Sequence, residues 1–227
     1  MSCDKGDWKP RARPGRWRLS ILGLFAAVGL CFCEDNPAFA KRAEQNYQEA
    51  RKKFQNCTND AEAAWQFGRA CFDWADFAKD DDQRELIANE GIAACRQLIA
   101  RDPKSVAGHY YLAMDLGQLA QTKTLGALRI VQEMEREFKS ARDLDAKFDN
   151  AGPDRNLGLL YFQAPGWPAS IGSRSKARQH LERSVDELKI VEELLPKARK
   201  DFTGEAWAQS WADWDKRWKK IREKVKK

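Results

Sequence analysis

Apolar residues recur at steps of three and four along most of the chain, a spacing that places them on one face of a helix. Between about residues 61 and 78 the apolar set is Ala64, Trp65, Phe67, Cys71, Phe72 and Ala75. No run of strand length alternates apolar and polar residues, and the abundant Ala, Leu, Lys, Glu, Arg and Gln favour helix over sheet. The pattern therefore predicts an all-α protein.

The same periodicity predicts a series of helices joined by short turns. A polar helix over 41–55 covers the N-terminal end of the series, and longer helices follow at about 61–78, 83–101, 106–120, 125–148 and 173–195. Three of these helices follow side chains that can accept hydrogen bonds from the first free amides of a helix. These capping candidates are Asn59 or Asp60, Asp80 to Asp82, and Ser173 or Ser175.

Large and small residues repeat at fixed positions in three of the segments. Leu112, Ala113 and Leu116 match the large, small and large positions of the first helix of a tetratricopeptide repeat, and His109 takes a bulky position that predicts a place in the core. The small residues Gly68, Ala113 and Gly158 recur about 45 positions apart, a longer period than the usual 34. The sequence predicts a tetratricopeptide-repeat-like helical-hairpin solenoid, with units at about 61–102, 103–149 and 150–195.

The C-terminal segment carries one long apolar stripe. Its members, at steps of four and three, are Trp207, Trp211, Trp214, Trp218, Ile221 and Val225. A stack of repeats needs a terminal element to cover its last apolar face, so we interpret about 203–226 as a capping helix. An oligomer contact and a membrane-surface helix with a basic tail are the alternatives.

The first forty residues have the composition of a secretory signal. Six basic residues precede an apolar run from Leu19 to Cys33, and Ala38-Phe39-Ala40 follows it. This order predicts cleavage after Ala40, a single mature domain over 41–227, and a periplasmic or secreted protein without a stable membrane span. An uncleaved signal anchor is the alternative, although the apolar run is short for a bilayer.

Charge and cysteine content narrow the classes of partner. The formal net charge is +6, with both signs interspersed along the helices, which predicts an ordinary solvated surface and not a polyanion-binding one. The predicted export also argues against a nucleic-acid partner. After residue 40 the cysteines are Cys57, Cys71 and Cys95. They form either one disulfide and a free thiol or three buried thiols.

The sequence lacks the common enzyme motifs. There is no Gly-x-Ser-x-Gly, no phosphate-binding glycine loop and no His-Glu-x-x-His. His109 and His180 lie on separate helices without a cysteine or an acid at ligand spacing, so we expect neither a metal nor a cofactor. The chain is therefore predicted to act without catalysis.

Residues 151–182, AGPDRNLGLLYFQAPGWPASIGSRSKARQHLE, combine Gly-Pro, Arg, Leu-Gly and Ala-Pro-Gly-Trp-Pro ahead of a helix that contains Lys-Ala. With these features the chain resembles the tetratricopeptide-like family of the T component of TRAP transporters, over these residues and more loosely from about 61 to 185. The resemblance implies an exported helical-repeat protein that docks onto a periplasmic solute-binding protein, contains an internal channel and tends to trimerise.

The Pro-Gly-Trp-Pro segment interrupts the third unit where an ordinary repeat has a short turn. Pro165, Gly166 and Pro168 stiffen and bend the chain around Trp167. In one interpretation Trp167 folds back to plug the end of the helix pair. In the other, the loop forms the rim of a ligand channel, with Arg174 and Lys176 beside it for an acidic group.

Residues on the first helix of each unit usually line the concave surface of a repeat array. The repeat register places six candidate binding residues there: Asp73, Tyr110, Met114, Arg155, Leu159 and Phe162. Arg155 has an alternative role in an ion pair with a neighbouring helix. The leading functional hypothesis is protein docking through this surface, and the alternative is a carrier of a small apolar or acidic ligand.

Overall fold

Seven helices make up the described part of the chain. The computed structural model describes residues 37–123 and 126–201, together with positions 203, 208, 211, 212 and 215. The helices are α1 (Pro37–Asn56), α2 (Ala61–Ala75), α3 (Asp81–Arg101), α4 (Val106–Thr122), α5 (Ala127–Leu144), α6 (Phe148–Gln163) and α7 (Arg174–Asp201). These residues contain no strand, only an isolated bridge between Gly166 and Gly172. The prediction of an all-α protein is confirmed.

Local capping fixes where several helices begin. The side chains of Asp60, Asp80 and Ser105 accept hydrogen bonds from the amides of Glu62, Gln83 and Gly108, respectively. Each bond satisfies a donor that has no partner within its own helix. The predicted caps of α2 and α3 are therefore confirmed at Asp60 and Asp80.

Successive helices pack against each other as antiparallel pairs. α2 pairs with α3, α4 with α5, and α6 with α7, while α1 covers α2 at the N-terminal end. Tyr47 of α1 lies against Phe67 of α2, with ring centroids 5.9 Å apart. This arrangement of sequence-adjacent pairs confirms the helical-hairpin solenoid.

The first helices of the three units are unevenly spaced. α2 packs closely against α4, whereas α4 and α6 touch only weakly and are held apart by α5. At the first junction, two glycines permit the close approach of α3 to α2, at Gly68, and of α3 to α4, at Gly91. A Cβ on Gly68 would lie 2.4 Å from Cys95 Sγ, and one on Gly91 would lie 2.3 Å from Asp115 Oδ2.

Two clusters of buried residues form the core. One joins α1, α2 and α3 around Tyr47, Phe67 and Cys71, and the other extends through α3 to α7 and includes Cys95. Cys71 and Cys95 are buried free thiols, whereas Cys57 is an exposed free thiol. The described residues therefore fit neither a disulfide nor three buried thiols.

The boundary between the second and third units differs from the predicted one. The helix predicted over 125–148 ends at Leu144, and α6 begins at Phe148. Asp149, Asn150 and Ala151 then have positive φ values of 49°, 54° and 57°. This left-handed turn separates Phe148 from the regular part of α6.

The predicted secretory signal and the predicted C-terminal capping helix lie mostly outside the described residues, so the structure does not test them. α1 begins at Pro37, so Ala38 to Ala40 lie in a helix, while the basic and apolar segments before it lie outside the described residues. Most of the predicted capping helix at 203–226 also lies outside them. Among the helices that are described, none has the length and apolar character needed to cross a bilayer.

Candidate binding pocket

A pocket lies in the gap between α4 and α6. It is a small pocket of about 30 Å³ that opens to solvent, and Met134 and Phe138 of α5 form its floor. The lining residues are Phe72, Ala113, Met114, Gly117, Gln118, Gln121, Met134, Phe138, Asn156, Leu160 and Gln163. The pocket exists because α4 and α6 do not close against each other as α2 and α4 do.

The lining is apolar except for carboxamides. The apolar part is supplied by methionine, phenylalanine, leucine and alanine side chains, and the polar part by one asparagine and three glutamines. The lining contains no lysine, arginine, aspartate, glutamate, histidine, serine or cysteine. A surface of this kind favours an uncharged group and offers it a few directed hydrogen bonds.

Two of the carboxamides on α4 are held by neighbouring side chains. Gln118 Nε2 donates to Asp76 Oδ1 at 2.6 Å, and Gln118 Oε1 accepts from Gln121 Nε2 at 3.3 Å. Gln118 is buried, so this chain of bonds fixes its orientation. These amides shape the wall of the pocket.

Gln163 differs because the nitrogen of its amide group has no hydrogen-bond partner among the described residues. Its Nε2 atom is buried and has no hydrogen-bond partner, whereas Asn156 Nδ2 donates to both Tyr110 Oη and the Gly152 carbonyl oxygen at 3.0 Å. A buried donor without a partner is costly to a folded protein. A ligand that places an acceptor near Gln163 would remove that cost.

A hydrogen-bond network supports the inner end of the pocket. Tyr110 Oη donates to Asp149 Oδ2 at 2.7 Å, and Arg155 Nη2 donates to the Asp149 carbonyl oxygen at 2.9 Å. Burial and the neighbouring Asp149 carboxylate raise the pKa of Tyr110. The network therefore ties the left-handed turn to Asn156 through a phenol that stays protonated.

Two further carboxyl groups lie near the junction of the first two units. Asp115 is fully buried, and neither of its oxygens has a hydrogen-bond partner in the described part of the chain. Burial raises its pKa well above the usual range. Burial also raises the pKa of Asp73 to about 6 against the opposing effect of Arg69. Within the described part of the chain, no group of three acidic, histidine or cysteine side chains is arranged to hold a metal ion.

Both histidines contact an acid from another helix. His109 Nδ1 lies 2.6 Å from Glu137 Oε2, and His180 Nδ1 lies 2.6 Å from Asp154 Oδ1. The Tyr161 ring stacks on the His180 ring with centroids 5.4 Å apart. These pairs connect α4 to α5 and α6 to α7, and neither lines the pocket. His109 is buried, as predicted.

The candidate residues from the repeat register fall into three groups. Met114 lines the pocket. Arg155, Leu159 and Phe162 lie on the partly exposed side of α6, next to the residues of α6 that face the pocket. Arg155 forms an ion pair with Asp149 of its own helix and not with a neighbouring helix. Asp73 is half-buried beside Arg69, at 3.9 Å.

Tyr110 does not lie on the concave surface. Only 1% of its surface is exposed, because its ring packs edge-on against Phe138 of α5 and Phe148 of α6. The register-based expectation for this residue is wrong. Tyr110 acts on the pocket indirectly, through its hydrogen bond with Asn156.

The loop at 164–173 neither plugs the helix pair nor lines the pocket. Trp167 is 89% exposed, so the interpretation in which it folds back is wrong. The Arg174 guanidinium lies 5.4 Å from the centre of the Phe162 ring, and Lys176 Nζ lies 5.1 Å from that of Tyr161. Neither cation contributes to the pocket lining, and the rim interpretation lacks support.

The residues that sequence reasoning missed are the glutamines. Gln118 and Gln121 follow Met114 at steps of four and three, so the register that identified Met114 also identifies them. Glutamine is common on solvent-exposed helix faces, and nothing in the pattern distinguished these two. Gln163 gave no signal, because its importance depends on a missing partner in the folded chain.

Fold and pocket together define an all-helical repeat protein with a small, largely apolar pocket between two of its units. Comparison with families shows that the sequence profile of the family described as Regulator of microtubule dynamics protein 1-3 matches residues 34–145, slightly less than half of the chain. The match includes α1 to α5 and ends before α6. Comparison with curated proteins gave no match.

This match corrects two expectations. The assignment to the T component of TRAP transporters is wrong, since the matching family is a different one. The periplasmic or secreted localisation is also wrong, because the matching family is described as a regulator of microtubule dynamics and not as an exported transport component. The match begins at residue 34, ahead of the predicted cleavage position after Ala40.

Proposed function

We propose that this chain is a non-catalytic binding protein that holds an apolar side chain of a partner protein in the pocket between α4 and α6. The observation that carries the proposal is the buried Nε2 of Gln163, which has no partner among the described residues and lies in a lining of apolar side chains and carboxamides. A peptide supplies both kinds of contact at once. Its side chain fills the apolar space, and its backbone carbonyl accepts from the amide.

The chemistry of the lining favours a peptide over an acidic small molecule. An acidic ligand requires a cation or several converging donors, and the lining contains no lysine or arginine. Carboxamides hydrogen-bond to peptide groups without a charge penalty. The lining also lacks a nucleophile or an acid–base residue, which supports binding without catalysis.

The name of the matching family suggests the first partner to test. The family is named for the regulation of microtubule dynamics, and its profile matches the helices α2, α4 and α5 that supply much of the pocket. We expect the chain to sediment with stabilised microtubules, or with a protein bound to them. A pocket variant that sediments equally well would show that this interaction does not use the pocket.

The two pocket methionines give a direct test of the proposed occupant. The chain has three methionines, Met1, Met114 and Met134, and the last two line the pocket. We expect N-acetyl-Gly-Leu-Gly-amide to shift the ¹³C-methyl resonances of Met114 and Met134 in the full chain, without shifting that of Met1. The same peptide with glutamate in place of leucine should have a much smaller effect, since the pocket offers the carboxylate no cation.

A matched pair of variants tests the role of the amide. Gln163→Leu keeps the size of the side chain but removes the donor, so the leucine peptide should bind about tenfold more weakly, which corresponds to the loss of one good hydrogen bond. Gln132→Leu changes an exposed glutamine on α5 and should leave binding unchanged. Equal binding by the two variants, or no methyl shift in the unaltered chain, would refute the peptide proposal.

The carrier of a small ligand is the competing function, and its signature is different. A carrier would retain a small molecule through purification, and native mass spectrometry of the full chain would show its added mass. Enlarging Met114 to tryptophan would remove such a mass. A retained molecule that depends on Met114 in this way would replace the peptide proposal.

A further inference from the structure

The segment 164–173, which we call the apex loop, is a closed structure that presents one large side chain to solvent. Gly172 N donates to the Pro165 carbonyl oxygen at 2.8 Å, and Ser173 N donates to the Tyr161 carbonyl oxygen at 2.9 Å. A Cβ on Gly172 would lie only 2.0 Å from the Ala164 carbonyl oxygen, so the two stems of the loop are in direct contact. The loop therefore holds its exposed residues in a defined place.

Trp167 is the most exposed of the large apolar residues in the described structure, at 89%. Phe162, at the stem of the apex loop, is 55% exposed. Indole is a side chain that favours the boundary between water and hydrocarbon, because its ring is apolar and its N–H is polar. An exposed indole on an ordered loop is suited to that boundary.

The backbone of the apex loop presents few free donors. Pro165 and Pro168 have no amide hydrogen, and the amides of Ala169, Ser170 and Gly172 donate to carbonyl groups within the loop. Transfer of unsatisfied peptide groups out of water is costly. The internal bonds lower that cost for this loop.

The sequence around the apex loop is cationic. No acidic residue occurs between Asp154 and Glu182, and this stretch contains Arg155, Arg174, Lys176 and Arg178. Acidic side chains lie close to three of these four cations. Asp149 pairs with Arg155, Glu135 lies near Lys176, and Glu182 lies 3.9 Å from Arg178. The Arg174 guanidinium lies over the Phe162 ring, directly at the stem of the loop.

From these observations we propose that the apex loop docks on an anionic membrane surface, with the Trp167 indole at the level of the lipid headgroups and Arg174 and Arg178 facing the lipid phosphates. Electrostatic attraction of this kind adds to binding with each cation near the surface. The loop exposes Trp167 and does not line the pocket, and the hydrogen bonds within its backbone leave little for a partner strand. These features favour a lipid surface over a protein segment, and the proposal is independent of the pocket.

Hydrogen exchange in the full chain locates the contact. We expect vesicles of phosphatidylcholine mixed with phosphatidylserine to slow amide exchange in peptides that cover 161–178, and vesicles of phosphatidylcholine alone to have little effect. Peptides from α3 serve as the internal reference. Since every variant keeps the apolar segment 19–33, any vesicle binding by that segment is common to all of them.

Variants separate the two parts of the contact. Trp167→Ala should weaken binding to anionic vesicles while the preference for them over neutral vesicles remains, since indole carries no charge. Arg174→Gln with Arg178→Gln should reduce that preference, by about tenfold or more. Leu86→Ala removes another exposed apolar residue, and Arg129→Gln with Arg136→Gln removes the same charge elsewhere. These controls should bind as the unaltered chain does.

Two results would overturn the proposal. One is unchanged exchange at 161–178 on anionic vesicles, or equal loss of binding in the control variants. The other is protection of 161–178 by a polyglutamate peptide while the Trp167→Ala variant still binds anionic vesicles normally. That second result would assign the surface to an acidic protein segment.

Discussion

Asp115 is a carboxyl group enclosed by α2, α3 and α4 with no hydrogen-bond partner in the described structure. Burial raises its pKa, so the folded chain holds the proton more tightly than the unfolded chain does. The stability that this proton contributes is complete below the unfolded pKa of about 4 and is lost as the pH rises through the folded pKa. The residue therefore makes the protein less stable toward neutral pH.

Replacing Asp115 by asparagine should remove this dependence. We expect the free energy of unfolding at neutral pH to increase by about 1–3 kcal/mol, and the gain to vanish near pH 3, where the carboxyl group is protonated in both states. Urea unfolding across this pH range measures both effects. Asp143→Asn, at an exposed position on α5, should change little. A destabilised Asp115→Asn variant at neutral pH would contradict the prediction.

Asp73 adds a smaller dependence with the same sign. Its raised pKa of about 6 means that its contribution fades between about pH 4 and pH 6. The Asp115→Asn variant should retain this part of the pH profile. The side chain of Asp73 is partly exposed, so its effect is weaker than that of Asp115.

Among the elements, the first turn of α6 has an unusual backbone. Three consecutive residues, Asp149 to Ala151, are left-handed without a glycine among them, although each such residue ordinarily costs about 1–2 kcal/mol. Hydrogen bonds from Tyr110 and Arg155 to Asp149 hold the turn in place. The turn is stabilised by tertiary contacts against its local preference.

Within a helix, alanine is ordinarily more stabilising than glycine, and at Asn150 we expect the opposite. Asn150 is exposed and has φ 54°, so Asn150→Gly should be more stable than Asn150→Ala by roughly 1 kcal/mol. At Gln132, exposed within α5, alanine should be the more stable by a similar amount. Thermal or urea unfolding of the four variants provides the comparison. The ordinary order at both positions would mean that the turn is not left-handed in solution.

Elements that are determined by residues near them in the sequence could be predicted, and elements that depend on distant residues could not. Asp60 and Asp80 cap helices through bonds to residues two or three positions away, so a short pattern was sufficient. The end of α5 was predicted too late because Phe148 continues the apolar spacing of Ala141 and Leu144. The left-handed turn depends on Tyr110, which is 39 positions distant from Asp149, and periodicity cannot show such a contact.

For the pocket, sequence reasoning found the right helices but too few of the residues. The repeat register identified Met114 and the neighbourhood of Leu159 on α6, since a solenoid places its first helices on one side. The volume between α4 and α6 depends on how far α5 separates them, and side-chain spacing along one helix does not encode that distance. The resemblance to a transport family failed because it depended on a stretch that includes α6 and the apex loop, outside the matched profile.

Across the whole molecule, the two core clusters meet at the glycine junction of α2, α3 and α4. Cys71 belongs to the first cluster and Cys95 to the second, and each is close to a glycine of a neighbouring helix. Repeat proteins can unfold unit by unit when neighbouring units are weakly joined. Here the close junction couples the clusters.

Thiol labelling along a denaturant series should show that coupling. We expect Cys71 and Cys95 to become reactive with the same midpoint, because both are buried and unfolding of either cluster removes the support of the other. Mass spectrometry of the labelled peptides measures the two sites separately. Cys57 is exposed and should react without denaturant, as an internal control. Separate midpoints would show that the clusters unfold independently.

The uneven spacing of the first helices determines which parts of the molecule respond when a partner occupies the pocket. A guest between α4 and α6 replaces empty space and meets α2 at Phe72, so most of its contacts are with α4, α5 and α6. The apex loop begins at Ala164, one residue after Gln163. A partner that fixes the Gln163 amide therefore also fixes the base of that loop. Binding in the pocket should then change the order of the C-terminal half of the molecule more than that of the N-terminal half.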